Sequence, residues 1–347
     1  MTPTSREPQR PRAARMPSAT ALMKNYGIAI FLVVMIIVFS TLMPTTFATE
    51  GNMRMILADQ AIPGILALAV ILPLAVGEFD LSVGANLGIC AIFGIILAGH
   101  ELPLVLLIAL PTLLGTLIGA VNAFMNIVVG VNAFISTLGM ATILGGLNLL
   151  LTNSTLITHS STVFTALAGT RVLGLQTVLV FFAAVAAGLW YVMEKTPFGR
   201  YLRATGMGRD AARLSGVRTD RYLAAAFIGA GFLAGLAGML LASRSGSATP
   251  NLGPEFLLPA YAAAFLGATA IRAGYFNVWG TVIGVYLLAV GANGLVILGA
   301  QTWVINVFNG VALLVAVSAA TLVQRQRKKV KPAVQSHTKT DAPVGVG

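Results

Sequence analysis

Apolar residues run along this chain in long blocks, and polar residues are largely confined to the intervals between them. The blocks lie near 26–43, 55–76, 81–99, 102–129, 133–151, 172–193, 223–242, 256–271, 276–298 and 303–323, ten in all. Most approach or exceed the roughly 18 apolar residues that a helix needs to cross a bilayer. Helices of a soluble core would carry a polar face at the helical period, and these blocks lack one. The pattern predicts an all-α polytopic membrane protein with about ten transmembrane helices. Pro111, inside the block at 102–129, predicts a bend or a re-entrant segment there.

Composition agrees: 57% of residues are hydrophobic, 10% are charged, and the mean hydropathy is +0.86. Soluble domains average about 25% charged residues, so this chain has too few to cover a water-facing surface. The net charge of +11 is distributed unevenly. Arg6, Arg10, Arg12, Arg15 and Lys24 precede the first block. Lys195, Arg200, Arg203, Arg209, Arg213, Arg218 and Arg221 fill one interior loop. Arg325, Arg327, Lys328, Lys329, Lys331 and Lys339 follow the last block. Retention of basic residues on the cytoplasmic side explains this clustering without any nucleic acid. Both termini and the interior loop are then cytoplasmic, which requires an even number of crossings on each side of the loop. Six blocks precede it and four follow.

Residues 1–24 read as a disordered basic cytoplasmic tail and 324–347 as a basic cytoplasmic tail, flanking a transmembrane domain over 25–323 with the cytoplasmic loop at 194–222. The block at 26–43 is longer than a usual signal core, and no clear small-x-small site follows it, so it reads as a retained anchor. The polar connections at 152–171 and 243–255 fall outside, too short for a folded domain. Cys90 has no disulfide partner and reads as a packed side chain. His100, His159 and His337 are too scattered for a metal site. The pairs Gly84/Gly88, Gly115/Gly119, Gly231/Gly235 and Gly280/Gly284 place bare backbone on one helix face, as close helix packing demands.

Within the loop, Asp210 reads as the cap of a short helix over Ala211, Ala212, Arg213, Leu214 and Ser215, stopped by a left-handed turn at Gly216. So short a helix is unstable alone in water and needs a surface to rest on. Small residues and a leucine on one side, with Arg209 and Arg213 among the basic residues, suit docking into a partner's groove. The competing reading is that the charges only enforce topology, which leaves the capped turn unexplained.

Glu78 and Asp80 sit in the stretch LAVGEFDLSVGANLG at 74–88. An ionised carboxylate at mid-membrane costs about 2.5–3.5 kcal/mol on insertion scales, so neither is expected to face lipid there. They can lie at the cytoplasmic interface; Asp80 can cap the following helix, with Ser82 and Gly84 just inside; or the stretch can break a helix that lines a pathway. A cap-and-turn role is the preferred one for Asp80. No role for Glu78 follows from the sequence.

Several motifs then recur in one order: Asp80-Leu81-Ser82-Val83-Gly84; Phe134 to Gly146; Phe198-Gly199-Arg200 with Ala204, Gly206, Ala211-Ala212 and Ser215-Gly216; and Gly280 to Gly299. Over residues 25–325 the chain resembles the ABC-transporter permeases of the ribose and monosaccharide importers. It departs from them at Gly77-Glu78-Phe79, where the family has small residues before the aspartate.

The resemblance implies a permease in the bacterial cytoplasmic (inner) membrane, surrounded by membrane lipid. Its partners would be a second permease copy, cytoplasmic ABC ATPase subunits and an extracytoplasmic sugar-binding protein. The segment Arg209 to Gly216 would include the coupling helix that docks on the ATPase. ATP and Mg would bind the ATPase, and this chain would hold no cofactor. In accord, it contains no G-x-x-x-x-G-K-[ST] and no Gly-Lys pair, so it is not expected to hydrolyse ATP.

Positions suited to a sugar pathway, polar side chains and one aromatic face, are Asn86, Asn122, Asn132, Phe134, Thr137, Asn148, Asn293 and Asn306. Each also suits a helix–helix hydrogen bond. Three rivals stay open. An ion-coupled secondary carrier would use Glu78, Asp80 and Asp59. A membrane enzyme would need convergent His, Asp or Cys side chains that the sequence does not offer. A branched-chain amino acid permease of the ABC type is the nearest alternative substrate class.

Overall fold

Every apolar block folds as helix. The computed structural model describes residues 19–330 apart from Glu101, Ser160, Leu173, Arg272 and Ala273; the side chains of 19–25, of Val172 and of 323–330 also lie outside the description. The blocks before the basic loop are α1 (Ala19–Leu42), α2 (Glu50–Asp59) with α3 (Ala61–Ala75), α4 (Val83–Ala98), α5 (Leu104–Ile127) and α6 (Ala133–Leu151). A short β1 (Ile157–Thr158), α7 (Thr162–Gly169), β2 (Arg171–Val172) and β3 (Leu175–Gln176) lead into α8 (Thr177–Lys195). The loop itself holds α9 (Pro197–Met207) and α10 (Arg209–Leu214). The rest is α11 (Thr219–Ser245), β4 (Ser247–Ala248), α12 (Pro254–Thr269), α13 (Val278–Ile297) and α14 (Thr302–Val330).

Among the described residues, seven helical segments are long and apolar enough to cross a membrane: Glu50–Ala75, which is α2 with α3, then α5, α6, α8, α11, α13 and Thr302–Leu322 of α14. Tyr26–Leu42 of α1 and all of α4 are shorter apolar helices, and α12 has 16 residues. The chain is therefore a multi-pass membrane protein. The expected ten crossings would add α1, α4 and α12 to these seven.

Burial sorts the helices. The spans of α2–α3 and α11 are 72% and 67% buried inside the protein, whereas those of α6 and α14 are 17% and 11% buried. The outer helices present Ile135, Leu138 and Ile143 on α6 and Val307, Val311 and Leu314 on α14 to the surroundings. Such a surface would be an aggregation hazard in water and is at home in lipid.

Glycine sets the closest approach in the centre. A Cβ on Gly115 of α5 would come 2.6 Å from the Gly231 carbonyl oxygen of α11, so neither position accepts a side chain without moving backbone. Gly280 and Gly284 likewise bring α13 against Gly267 and Ala263 of α12. The fourth expected pair differs in its partner: Gly84 and Gly88 of α4 meet the backbone of Gly253 and Leu252, a non-helical segment.

The structure departs from the sequence expectations at several places. α1 begins at Ala19 and α14 runs to Val330, so parts of both regions read as tails are helical; residues 1–18 and 331–347 lie outside the described residues. α5 carries Pro111 inside one continuous helix, with neither a re-entrant turn nor a break. The connections expected to be plain loops contain α7, and the basic loop contains the unforeseen α9. The fold is helical apart from short strands. β1 pairs antiparallel with β4, Ile157 opposite Ala248 and Thr158 opposite Ser247. That ladder joins the two polar connections that the charge pattern assigned to one face.

Candidate functional site

The stretch between α3 and α4 is a break in the helical framework whose backbone groups find partners one by one. Pro73 removes a donor near the end of α3, and the chain turns at Gly77, whose φ is +85°. The Gly77 N–H donates to Leu74 at 3.1 Å and the Glu78 N–H to Pro73 at 3.0 Å, the reciprocal pair of a Schellman stop. The Tyr261 hydroxyl of α12 takes the Asp80 N–H at 3.0 Å and donates back to the Asp80 carbonyl at 2.9 Å. The Leu81 N–H donates to Thr137 Oγ1 of α6 at 3.1 Å. Irregular backbone buried within a membrane protein needs such internal satisfaction.

Asp80 is 1% exposed. Its Oδ1 accepts the Ser82 N–H at 2.9 Å and the Ser82 hydroxyl at 2.6 Å, and Asn122 donates to that hydroxyl at 2.7 Å. The carboxylate thus fixes the turn that launches α4. The N-terminal cap position is Ser82 and not Asp80 as expected, so Asp80 acts from two residues upstream of the cap.

Glu78 gains a role that the sequence did not give. Its Oε1 lies 2.8 Å from Arg209 Nη2, with the glutamate side chain 22% exposed and the arginine 35%. The bond ties the turn at 77–82 to the start of α10. Beside it, Gly77 lies against Gly206 of α9, and Gly206 packs on Ala75 so closely that a Cβ would collide with the Ala75 carbonyl.

The loop is more built than the sequence suggested. α9 starts with Pro197 in its first turn and buries Leu202 and Thr205. Arg203 pairs with Glu194 at 2.7 Å and also reaches the Met193 carbonyl. On α10 the cap position is Gly208, with no side-chain cap; Asp210 is in the first turn, where its charge favours the helix dipole instead. Arg213 donates to Thr219 at 2.8 Å and to Asp220 at 2.5 Å. Gly216, at φ +81°, closes α10: its N–H meets the Arg213 carbonyl at 2.9 Å and the Val217 N–H the Ala212 carbonyl at 3.0 Å. Ala211 caps nothing but accepts the Ser215 hydroxyl at 2.9 Å, and Ala212 is buried. Leu214 is 91% exposed.

The remaining candidates divide. Thr137 belongs to the Asp80 turn, and Asn132 caps α6 by accepting the Phe134 N–H at 2.9 Å, leaving the Phe134 ring half exposed. Asn86 donates to the Gly115 carbonyl at 3.1 Å and accepts from Cys90, a bond between α4 and α5. Asn293 is distant from these, in a reciprocal amide pair with Asn52 at 3.1 and 3.2 Å that holds α13 to α2. Tyr261 was missed from the sequence, because a lone tyrosine in an apolar helix carries no signal of its partner.

The chain matches the family described as branched-chain amino acid transport system / permease component over residues 52–317. It is 31% identical to the ribose import permease protein of Haemophilus influenzae over 84% of this chain and 91% of the relative. The ribose import permease protein of Escherichia coli K12 is 33% identical over 83% of this chain and 91% of its own. The D-allose transport system permease protein of the same organism is 29% identical over 87% and 93%. No solved structure matches. On this extent of likeness, the chain belongs to the family of permease components of ATP-binding-cassette importers.

Proposed function

We propose that the chain is the membrane-spanning subunit of an ABC importer that translocates a monosaccharide handed over by an extracytoplasmic binding protein. The observation that carries this reading is α10, a helix stopped by Gly216 that holds Leu214 out at 91% exposure beside paired arginines. An exposed leucine on a rigid, positively charged turn is a poor free surface and a good docking element for a cytoplasmic ATPase. ATP and Mg²⁺ sit on that partner. The likeness to ribose and allose permeases supports a monosaccharide as cargo.

In this reading the ten helical blocks all cross the inner membrane of a bacterium, both termini are cytoplasmic, and two permease copies form the pathway. The β1–β4 ladder supports placing 152–171 and 243–255 together on the outer face, where the binding protein docks. The Glu78–Arg209 pair gives the loop a handle on the turn at 77–82. When the ATPase moves α10, the Asp80 turn moves with it.

An ion-coupled carrier fits less well. Of the three carboxylates it would use, Glu78 is paired with Arg209 and Asp59 with Arg244, while Asp80 is committed to Ser82.

The test is substrate-dependent ATP hydrolysis by the chain purified with its ATPase and binding protein. Stimulation by a monosaccharide is the expected result. Stimulation only by leucine, isoleucine or valine would move the reading to the amino acid class that the family description names; stimulation by neither class would remove it.

A further inference from the structure

A cavity of about 120 Å³ lies where α4, α6 and the segment 250–254 meet, lined by Leu81, Ala85, Gly145, Asn148, Asn251 and Leu257 among others. A single water needs only about 10–15 Å³ of such space, so the cavity exceeds what one solvent molecule needs. It exists because small residues wall it. Nothing lies within 4 Å of where a Gly145 side chain would start. The rim is fixed by the backbone of Leu252 and Gly253 pressed on Gly88 and Gly84, with Gly253 at φ +119°. Leu81, also in the lining, belongs to the Asp80 turn.

Asn148 is 1% exposed, and among the described residues its carboxamide oxygen has no hydrogen-bond partner. Among the described residues Asn122, Asn126 and Gln176 also bury a side-chain oxygen without a partner, but of the four only Asn148 lines this cavity. A buried carboxamide oxygen left open at a cavity wall wants a hydrogen-bond donor. A sugar hydroxyl is such a donor, and an aliphatic side chain is not.

We propose that this cavity is a contact point for the transported monosaccharide, with the Asn148 carboxamide hydrogen-bonding a sugar hydroxyl. The inference rests on the monosaccharide reading above and adds a place in the chain for it. Leu81 then links cargo to drive, since the turn it belongs to is held through Glu78 by Arg209.

The experiment is uptake of a panel of radiolabelled aldopentoses and aldohexoses by cells carrying the chain with its ATPase and binding protein. The variants are Asn148→Leu, which removes the hydrogen bond, and Gly145→Leu, which fills the cavity from a position open to a side chain; membrane abundance and co-purification of the ATPase report assembly. Wild type imports at least one sugar, and each variant lowers that uptake at least tenfold while Gly145→Ala stays within about twofold. Wild-type uptake in either assembled leucine variant overturns the site and leaves the monosaccharide reading standing. Should the wild-type chain import leucine, isoleucine or valine and no sugar, the reading falls and the site with it.

Discussion

Arg209 and Glu78 are 131 positions apart in sequence and 2.8 Å apart in space. The bond joins the start of the basic loop helix to the turn whose far end is Asp80, so the element proposed to meet the ATPase is wired to buried structure. A partly exposed pair of this kind adds only about 0.2–1 kcal/mol to stability. On the function proposed above, its value would lie in transmission.

Reversing one charge, by Glu78→Arg or Arg209→Glu, is expected to leave the protein in the membrane and to cut transport per ATP hydrolysed severalfold. The double exchange should recover much of the loss. Substrate uptake measured together with hydrolysis in proteoliposomes checks this, and equal coupling in all the variants would show that the pair transmits nothing.

Leu214 contributes no packing at 91% exposure, so Leu214→Asp should change stability by less than about 0.5 kcal/mol. The same change places a charge in the proposed docking groove. Co-purification of the ATPase should drop at least tenfold, with the melting temperature of the permease alone unaltered.

Tyr261→Phe removes the one hydroxyl that satisfies both the N–H and the carbonyl of Asp80. Leaving a buried donor unpaired costs about 1–3 kcal/mol, so thermal unfolding in detergent should come several degrees earlier. Removing Asn122, whose amide donates to the Ser82 hydroxyl beside Asp80, should cost less.

Gly216→Pro is expected to be worse than Gly216→Ala. Alanine pays about 1–2 kcal/mol for the left-handed conformation at φ +81°. Proline cannot adopt that φ and also deletes the N–H bonded to Arg213. ATPase binding should weaken in the alanine variant and vanish in the proline one.

Much of the framework could be read from hydropathy alone, because a bilayer admits few solutions: each apolar block is a helix, and blocks near span length show it most directly. Gly216 was equally legible, since a glycine after a short helical run has one common use. Other features were not. α9 is amphipathic and lies against α3 and α8 by means of Gly199 and Gly206, contacts with no local signature. The cap assigned to Asp210 failed because Gly208 takes the capping position two residues earlier. Glu78 could not be placed at all, since its meaning lies in an arginine far along the chain. Segment 250–253 looked like an ordinary polar loop, and only the depth at which Gly253 meets Gly84 reveals that it enters the bundle.

The most direct measurement of the central claim is solute accumulation in proteoliposomes holding the chain, its ATPase and its binding protein, with ATP and ion gradients varied separately. Accumulation that requires ATP, ignores the gradients and disappears with Leu214→Asp is the predicted result. Accumulation driven by an ion gradient with the ATPase left out would contradict it.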